Sequence, residues 1–223
     1  MRFRTRAVIC FCLIVWTGSA PWVLASSEAL GSSSRDQEEG WIDLFNGKDL
    51  NGWQKARPPR VDPLWVVEEG VMTNLEGSRD IATVDEYSDF DLSLEYKTVE
   101  HGNSGVFLRG RIEIQVADTF GKESPSDQDN GAVYGQFAPL VNVSKPAGEW
   151  NSLEMNLRGA VLTVRLNGHL IHNALTLPKV CDGALPGGLL DPGPIRLQGD
   201  HGKVWYRNLR LRPMGPDSAK ASK

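Results

Sequence analysis

Cysteine is scarce in this chain of 223 residues, and that scarcity limits how the fold can be stabilised. Two of the three cysteines, Cys10 and Cys12, lie in an apolar N-terminal run, which leaves only Cys181 beyond it. A lone cysteine cannot form an internal disulfide, and no Cys/His pair has the spacing of a structural zinc site. We therefore expect the core to hold by packing, with Cys181 as an incidental loop residue or, alternatively, a catalytic thiol.

An excess of positive charge is also missing. The formal net charge is −4, and Arg2, Arg4 and Arg6 all precede the apolar run, so the remainder of the chain is more acidic still. Nucleic-acid binding needs a basic footprint, and attachment to a membrane surface needs a basic amphipathic helix. Neither pattern occurs, so we expect no nucleic-acid partner.

No apolar run is long enough for an ordinary membrane span, which needs about 20 residues. The run from Ala7 to Trp16 instead follows three arginines and precedes the small-residue pattern Val23-Leu24-Ala25. This order predicts a secretory signal peptide over residues 1–25, with an uncleaved anchor as the alternative. The chain is then exported, to the periplasm or outside the cell, with no stable membrane insertion after cleavage.

Polar, Ser- and Gly-rich residues predict a flexible linker over 26–39 and a flexible tail over 214–223, flanking one domain over 40–213. Helical periodicity is absent from that domain. Apolar and polar residues alternate strictly in the segment Phe90 to Lys97, and similar runs recur between turns. Many short strands separated by Gly and Pro predict an all-β sandwich or jelly roll.

Local signals refine this all-β prediction. Asn167-Gly168 predicts a tight hairpin, because both residues tolerate positive φ. The last strand, Val204 to Leu211, is expected to carry a bulge near Asn208, and His172 is expected at the surface of a hairpin strand. Most aromatic residues in such a chain belong to the core, so we assign Trp53 and Trp65 to it.

Several motifs occur together in order along the domain. They are Trp41-Ile42-Asp43-Leu44-Phe45-Asn46-Gly47-Lys48-Asp49-Leu50-Asn51-Gly52-Trp53, Gly102-Asn103-Ser104-Gly105-Val106-Phe107-Leu108-Arg109, Glu113-Ile114-Gln115-Val116-Ala117-Asp118, Gly131-Ala132-Val133-Tyr134-Gly135, Gly148-Glu149-Trp150-Asn151 and Leu197-Gln198-Gly199-Asp200-His201-Gly202. Together they resemble the 3-keto-disaccharide hydrolase family, whose members are also described as 3-keto-glucoside 1,2-lyase and 3-keto-2-hydroxy-glucal hydratase domains. The resemblance implies a concanavalin A-like jelly-roll β-sandwich and a small carbohydrate substrate.

Glu113 and Gln115 are the first candidate site residues. Positions i and i+2 of a strand share a face, so the two side chains project together, opposite the apolar Ile112, Ile114 and Val116. The spacing echoes the E-x-D-x-x-E motif of laminarinase-type glucanases, but an amide stands at the middle position. A retaining glycosidase needs two carboxylates about 5–5.5 Å apart, so Gln115 argues against that mechanism.

The remaining candidates come from the other motifs. His201, between glycines, is suited to proton transfer near neutral pH, so we pair it with Glu113 as the catalytic acid and base. Arg109 is expected either to bind substrate or to form an ion pair with Glu113. Gln115, Tyr134, Gln198 and Asn103 complete the expected substrate-binding set. A divalent metal ion held by Glu113, Asp118 and His201 is a further possibility, although no compact ligand motif exists.

A ketone at C3 of a glucoside acidifies the C2 proton, and this suggests a reaction. A base removes that proton, the C1 substituent leaves by β-elimination, and addition of water to the 2-hydroxy-glucal gives net hydrolysis. Glu113 and His201 would act as the acid/base pair, while Arg109, Gln115 or a cation would steady the enolate. The alternative function is a non-catalytic, lectin-like carbohydrate-binding module, because the same fold serves both.

Overall fold

The computed structural model describes residues 40–57 and 64–215. The expected signal peptide over 1–25, the linker over 26–39 and all but the first two residues of the tail over 214–223 lie outside this range. Those assignments therefore stay predictions, as does the 40–213 domain boundary.

Thirteen β-strands form the described structure, and none of the described residues is helical. The strands are β1 (Ile42–Asp43), β2 (Trp53–Lys55), β3 (Trp65–Glu68), β4 (Val71–Asn74), β5 (Ile81–Thr83), β6 (Asp89–Thr98), β7 (Asn103–Leu108), β8 (Ile112–Ala117), β9 (Asn151–Arg158), β10 (Val161–Leu166), β11 (His169–Thr176), β12 (Arg196–Leu197) and β13 (Val204–Met214). Nowhere in 40–57 or 64–215 is there a helix of the length and apolar character that a membrane crossing requires.

The strands form two antiparallel sheets. The larger has the order β11-β10-β9-β6-β13-β4-β3, with β1 paired to β13, and the smaller has the order β2-β5-β12-β7-β8. Strands adjacent in each sheet are often distant in sequence, as in the pairing of β12 with both β5 and β7. This is the predicted all-β, concanavalin A-like jelly-roll sandwich, so the predicted fold class is confirmed.

The core lies between the two sheets, where the alternating apolar residues meet. From the smaller sheet, Ile112, Ile114 and Val116 are fully buried. From the larger sheet, the buried apolar residues of the alternating runs include Leu153, Met155, Leu157, Leu162, Val164 and Leu166. The side chains that alternate with this apolar set on the smaller sheet point away from the core, so the outer face of that sheet can carry polar residues.

Most of the local predictions are also confirmed. Asn167 and Gly168 both have positive φ, 51° and 79°, in the turn that joins β10 to β11. The register of β13 against β6 shifts between Arg207 and Arg210, and Asn208 has a φ of 53°, as expected for the bulge. Trp53 and Trp65 are buried in the core.

The expectation that His172 lies at the surface is wrong. The β10–β11 pairing is irregular on both sides of Val164, and this places the consecutive residues Ile171 and His172 both on the buried side. Nε2 of His172 lies 2.9 Å from the carbonyl oxygen of Gly131. Burial lowers the pKa of this imidazole, because the charged form loses its hydration.

Candidate active site

The outer face of the smaller sheet carries a polar row at its centre. Arg196 of β12 pairs with Phe107 of β7, and Phe107 pairs with Glu113 of β8. Paired residues of an antiparallel sheet point to the same side, so these three side chains share the face away from the core. Neighbouring strands lie about 4.8 Å apart, which puts the Arg196 and Glu113 backbones roughly 10 Å from each other across Phe107.

A second row runs beside the first. Gly105 of β7 pairs with Gln115 of β8, and the backbone N–H of Gln198 donates to the Gly105 carbonyl at 3.0 Å. Because Gly105 has no side chain, Glu113 lies over it. A Cβ at position 105 would overlap Oε1 of Glu113 and would lie 3.0 Å from its Cγ. The missing side chain is thus what lets the Glu113 carboxylate lie low on the sheet.

These rows form the floor of a cavity of about 600 Å³. Six of the sequence-predicted site residues line it, namely Asn103, Glu113, Gln115, Tyr134, Gln198 and His201. They come from β7, β8, the segment after β8 and the β12–β13 connection, so the sandwich topology is what brings them together. The size suits a small ligand, since binding pockets commonly enclose about 300–1,000 Å³.

Glu113 has the most perturbed acidity of the cavity carboxylates. Burial raises its pKa to about 7, since the ionised form loses hydration. Arg196 and His201 oppose that shift by attraction, and the negative charge of Asp80 adds to it. At neutral pH the carboxyl group is therefore divided between its two protonation states, as a group that both takes up and releases protons requires.

His201 is held by its neighbour and by a buried amide. Its Nδ1 lies 2.5 Å from Oδ1 of Asp200, which leaves Nε2 as the nitrogen available to a ligand. The loop that carries both residues is fixed by Asn74, whose Nδ2 donates to the carbonyls of Gly199 at 2.8 Å and Gly202 at 2.7 Å. The His201 side chain is about half exposed, so it lies nearer solvent than Glu113.

Arg196 is buried on the cavity floor. Its Cζ lies 3.5 Å from the centre of the Phe107 ring, and its Nη1 donates to the carbonyl of Gly183 at 3.0 Å. Oδ2 of Asp80 lies 3.5 Å from its Nε. Burial lowers the pKa of Arg196 and raises that of Asp80, in both cases because desolvation disfavours the charge.

The polar residues near Glu113 in the cavity are also held in place. Nε2 of Gln115 donates to Oδ1 of Asn103 at 3.1 Å, which orients both amides at one end of the cavity. The backbone N–H of Tyr134 donates to the Glu113 carbonyl at 3.1 Å, so the segment after β8 packs along that strand. On its own strand, the neighbour of Glu113 on this face is an amide and not a second carboxylate.

Arg109 requires a correction, because it does not line the cavity. Its buried guanidinium donates to the carbonyls of Ser88, Gly159 and Leu189 and pairs with Asp89 at 2.9 Å. Both expectations for Arg109 are therefore wrong: the guanidinium does not face the cavity, and its ion-pair partner is Asp89 and not Glu113. The cause is the tight turn after β7, where Arg109 adopts a φ of 51° and turns away from the sheet face.

Asp118 also lies apart from the other candidates. Its Oδ2 accepts from the backbone N–H of His101 at 3.0 Å, and it lines a separate surface depression next to Trp205. It lies five positions after Glu113, an odd number, so it has the opposite parity. The structure does not bring Asp118 together with Glu113 and His201, and no group of three or more His, Cys, Asp or Glu side chains within 40–57 and 64–215 is arranged to hold a metal ion.

Cys181 does not have the properties of a nucleophile. It is buried, and its backbone N–H donates to the carbonyl of Arg111 at 2.9 Å. Burial, with a smaller contribution from the charge of Glu113, raises the pKa of the thiol to about 11. A catalytic thiol needs a lowered pKa, so the structure favours the incidental role.

The cavity also has charged lining residues that the sequence analysis did not predict, namely Lys55, Arg57, Arg79, Asp80, Asp182, Arg196 and Asp200. A signal existed for two of them. Arg196 lies between the apolar Ile195 and Leu197, so alternation alone puts it on the face away from the core. Asp200 precedes His201 directly. For Asp80 and the lysine and arginines of the rim, no local pattern distinguishes them from ordinary surface charges.

Comparison with known proteins gives the chain a family. The sequence profile of the 3-keto-alpha-glucoside-1,2-lyase-like domain matches residues 40–212. A Bacteroides thetaiotaomicron protein named 3-keto-disaccharide hydrolase is 25% identical over an alignment of 230 positions that covers 78% of each chain.

Solved structures agree on the architecture. A Parabacteroides distasonis protein, described only as a candidate glycosyl hydrolase, is 29% identical and superposes with a TM-score of 0.67 over 79% of this chain and 84% of its own. A Bacillus licheniformis β-glucanase superposes with a TM-score of 0.50 at 15% identity, over 80% of this chain and all of its own. The second likeness concerns the fold alone.

Proposed function

The chain belongs to the 3-keto-alpha-glucoside-1,2-lyase-like domain family, and from this premise we propose that it cleaves 3-keto-glucosides and 3-keto-disaccharides by β-elimination, hydration of the 2-hydroxy-glucal, or both in sequence. The family and its relatives indicate an enzyme that acts on carbohydrate. One observation supports the finer proposal. Glu113, with a pKa of about 7, shares one cavity with the His201–Asp200 pair.

The burial of the two groups suggests how the roles divide. Glu113 is the deeper group, so it would remove the C2 proton; the electron pair of that C–H bond forms C2=C3 and the charge moves to the C3 oxygen. The C3=O bond then re-forms, the electron pair of C2=C3 moves to form C1=C2, and the C1 oxygen leaves with the pair of its bond to C1. His201, nearer solvent, would supply the proton to that oxygen, because an aglycone extends outward from the cavity.

In the hydration step the two residues exchange their roles as acid and base. His201 would take a proton from the water that adds to C1, and Glu113 would return one to C2. No oxidant or reductant is needed, because the ketone at C3 is present in both substrate and product. An ordinary retaining mechanism is less well supported, because the amide Gln115 occupies the position on the Glu113 strand where that mechanism needs a carboxylate.

A lectin-like module is the competing proposal, and the cavity aromatics disfavour it. A module that binds sugars by stacking presents an open aromatic face, whereas the ring of Phe107 is covered by Arg196. Trp150 and Trp205 are absent from the lining of this cavity. Binding of plain glycans without any turnover of a 3-keto-glucoside would favour the module instead.

The direct assay is incubation with 3-keto-trehalose or a 3-keto-glucoside, following the enone absorbance of the 2-hydroxy-glucal and the release of 3-keto-glucose. We expect turnover by the natural chain and a loss of about 10²–10⁴-fold in His201→Ala, the usual contribution of a general acid or base. His169→Ala is the matched control, because His169 is exposed on β11 of the other sheet. Unchanged turnover in both His201→Ala and Glu113→Gln would contradict the assignment.

We also propose export of the protein to the periplasm or outside the cell. The support is the leader pattern in residues 1–25. N-terminal sequencing of the protein from producing cells tests it: a chain that begins at Ser26 is expected, and a full-length chain in the cytoplasm would contradict it.

A further inference from the structure

Two polar side chains on the cavity floor have a buried atom that lacks a hydrogen-bond partner among the described residues. They are Nε of Arg196 and Oε1 of Gln198. Asp80 lies 3.5 Å from that Nε, close enough for an ion pair but without the directional geometry of a hydrogen bond. An unpaired buried polar atom is destabilising because it has lost its hydration without gaining a partner, so two of them lining one cavity call for an explanation.

Arg196 is rigidly presented. Its side chain is only 2% exposed, and three contacts hold it: the Phe107 ring, the Gly183 carbonyl and the carboxylate of Asp80. A guanidinium fixed in this way loses little conformational freedom when it binds a ligand. It is a preorganised positive charge, and such a charge stabilises an anion that develops next to it.

Gln198 stands two positions further along the same strand direction, on the same face. Two residues of a strand span about 6.6 Å, so a single sugar ring can reach both side chains. Nε of Arg196 is a donor, and Oε1 of Gln198 is an acceptor. The complementary ligand therefore presents an oxygen acceptor and, beside it, a hydroxyl donor.

A ketone flanked by a hydroxyl has this arrangement, and in the proposed elimination the ketone oxygen is also the atom that takes up negative charge. We infer that Arg196 binds the C3 oxygen of the 3-keto sugar and holds the enolate charge, while Gln198 accepts a hydrogen bond from the adjacent hydroxyl. This inference rests on the proposed function. It makes Arg196 a catalytic residue and the determinant that selects a 3-keto sugar over its 3-hydroxy parent, while Gln198 contributes to the binding of both.

The main test is Arg196→Lys, which keeps a positive charge for Asp80 but removes the guanidinium Nε. Loss of one oxyanion donor lowers kcat by about 10²–10³-fold, and we expect a fall of that size. Arg207→Lys is the matched control, because Arg207 also lies over an aromatic ring, 4.0 Å from Trp150, and also pairs with a carboxylate, Glu95, but on the other sheet. That control is expected to keep its turnover.

Binding gives a readout that a merely structural role would not change. In a Glu113→Gln background, in which turnover is slow, calorimetry measures the dissociation constants of a 3-keto-glucoside and of the parent glucoside. We expect Glu113→Gln to prefer the keto ligand and the added Arg196→Lys change to bring the ratio towards one. Gln198→Leu is expected to weaken binding of both ligands, whereas Gln198→Glu, which keeps the acceptor, is expected to retain it.

Added guanidinium is the second chemical check. Arg196→Ala should regain part of its turnover with millimolar guanidinium, and Glu113→Gln should not. If Arg196→Lys fails to fold, as judged by its thermal melting, the two Gln198 variants test the pair. Normal turnover by the natural chain, together with an unchanged ligand ratio in Arg196→Lys or unchanged binding of both ligands in Gln198→Leu, would overturn this inference alone. No turnover of any 3-keto-glucoside by the natural chain would overturn the proposed function, and this inference with it.

Discussion

An arginine lies over an aromatic ring on each of the two sheets, and the two arginines differ in their surroundings. Arg207, over Trp150 on the larger sheet, is partly exposed and has a close partner in Glu95 at 2.6 Å. Arg196, over Phe107 on the smaller sheet, is buried, and its Nε has no hydrogen-bond partner among the described residues. The residue types match, so burial and incomplete pairing are what distinguish the candidate site from an ordinary polar surface.

The same contrast holds for the glutamates. Glu95 on the larger sheet accepts from both Arg207 and Asn208. Glu113 on the smaller sheet is buried next to a cavity, and its pKa is raised to about 7. Only Glu113 therefore combines burial beside a cavity with a change of protonation state in the physiological range. This difference is what a proton-transfer role requires.

The largest expected effect comes from exchanging each glutamate for its amide. Glu113→Gln should lower kcat/KM by about 10²–10⁴-fold, because the amide cannot take up the C2 proton. Glu95→Gln should leave kcat/KM near that of the natural chain. Steady-state turnover of a 3-keto-glucoside measures both, and equal losses in the two variants would remove the distinction between the sheets.

A substitution at Arg109 should affect the stability of the fold but not catalysis. Arg109→Met removes a buried guanidinium that donates to three carbonyls, and because these hydrogen bonds are charge-assisted we expect a loss of roughly 3–5 kcal/mol in the free energy of unfolding. Urea unfolding measures it. The folded variant should keep most of its kcat, because Arg109 does not line the cavity. A kcat loss as large as that of Glu113→Gln would restore Arg109 to the site.

Stability should depend on pH through Glu113. Its folded-state pKa, about 7, exceeds its ordinary value of 4.5. The free energy of unfolding is therefore highest, as far as Glu113 is concerned, below pH 4.5, and it falls as the pH rises through 7. Glu113→Gln should therefore raise the free energy of unfolding by up to roughly 3 kcal/mol at pH 8, and by little at pH 5. Glu95→Gln is the control. Equal stability of the natural chain and Glu113→Gln at pH 8 would contradict the burial of an ionised carboxylate.

The smallest effect expected here concerns Gly105. Gly105 does not have a positive φ, so its backbone conformation is open to alanine and Gly105→Ala should fold. The new Cβ would displace the Glu113 carboxylate. A displacement of about 1 Å can lower a rate by up to about 10²-fold, and we expect a loss of at most that size, mainly in kcat. An unchanged kcat would mean that the carboxylate position over Gly105 is not needed.

The sequence predicted the fold and much of the site because both depend on alternation. Ile112, Ile114 and Val116 alternate with Glu113 and Gln115, so one pattern assigns the core and the cavity floor together. Arg109 could not be placed in this way, because a positive φ in a tight turn breaks the alternation after β7. His172 was misplaced for a similar reason, since an irregular strand pairing buries two consecutive residues.

The missed residues depend on long-range contacts. Arg196 follows the alternation of β12, but its pairing with Asp80 and its position over Phe107 arise only because β12 lies between β5 and β7. The order of strands in the sheet is set by the whole fold, and no local pattern near Asp80 or Phe107 indicates it. The acid and base candidates were therefore readable from the sequence, whereas for the cation beside them alternation indicates only the face of the sheet, and neither its burial nor its partners.

Cleavage by elimination breaks the C2–H bond of a 3-keto sugar, and a substrate deuterated at C2 reports on that step. We expect slower turnover of the deuterated 3-keto-glucoside than of the ordinary one, and loss of deuterium from C2 in the released 3-keto-glucose. A reaction without the enzyme measures the background exchange. Equal rates for the two substrates, with the deuterium retained at C2, would contradict the account and indicate direct displacement at C1.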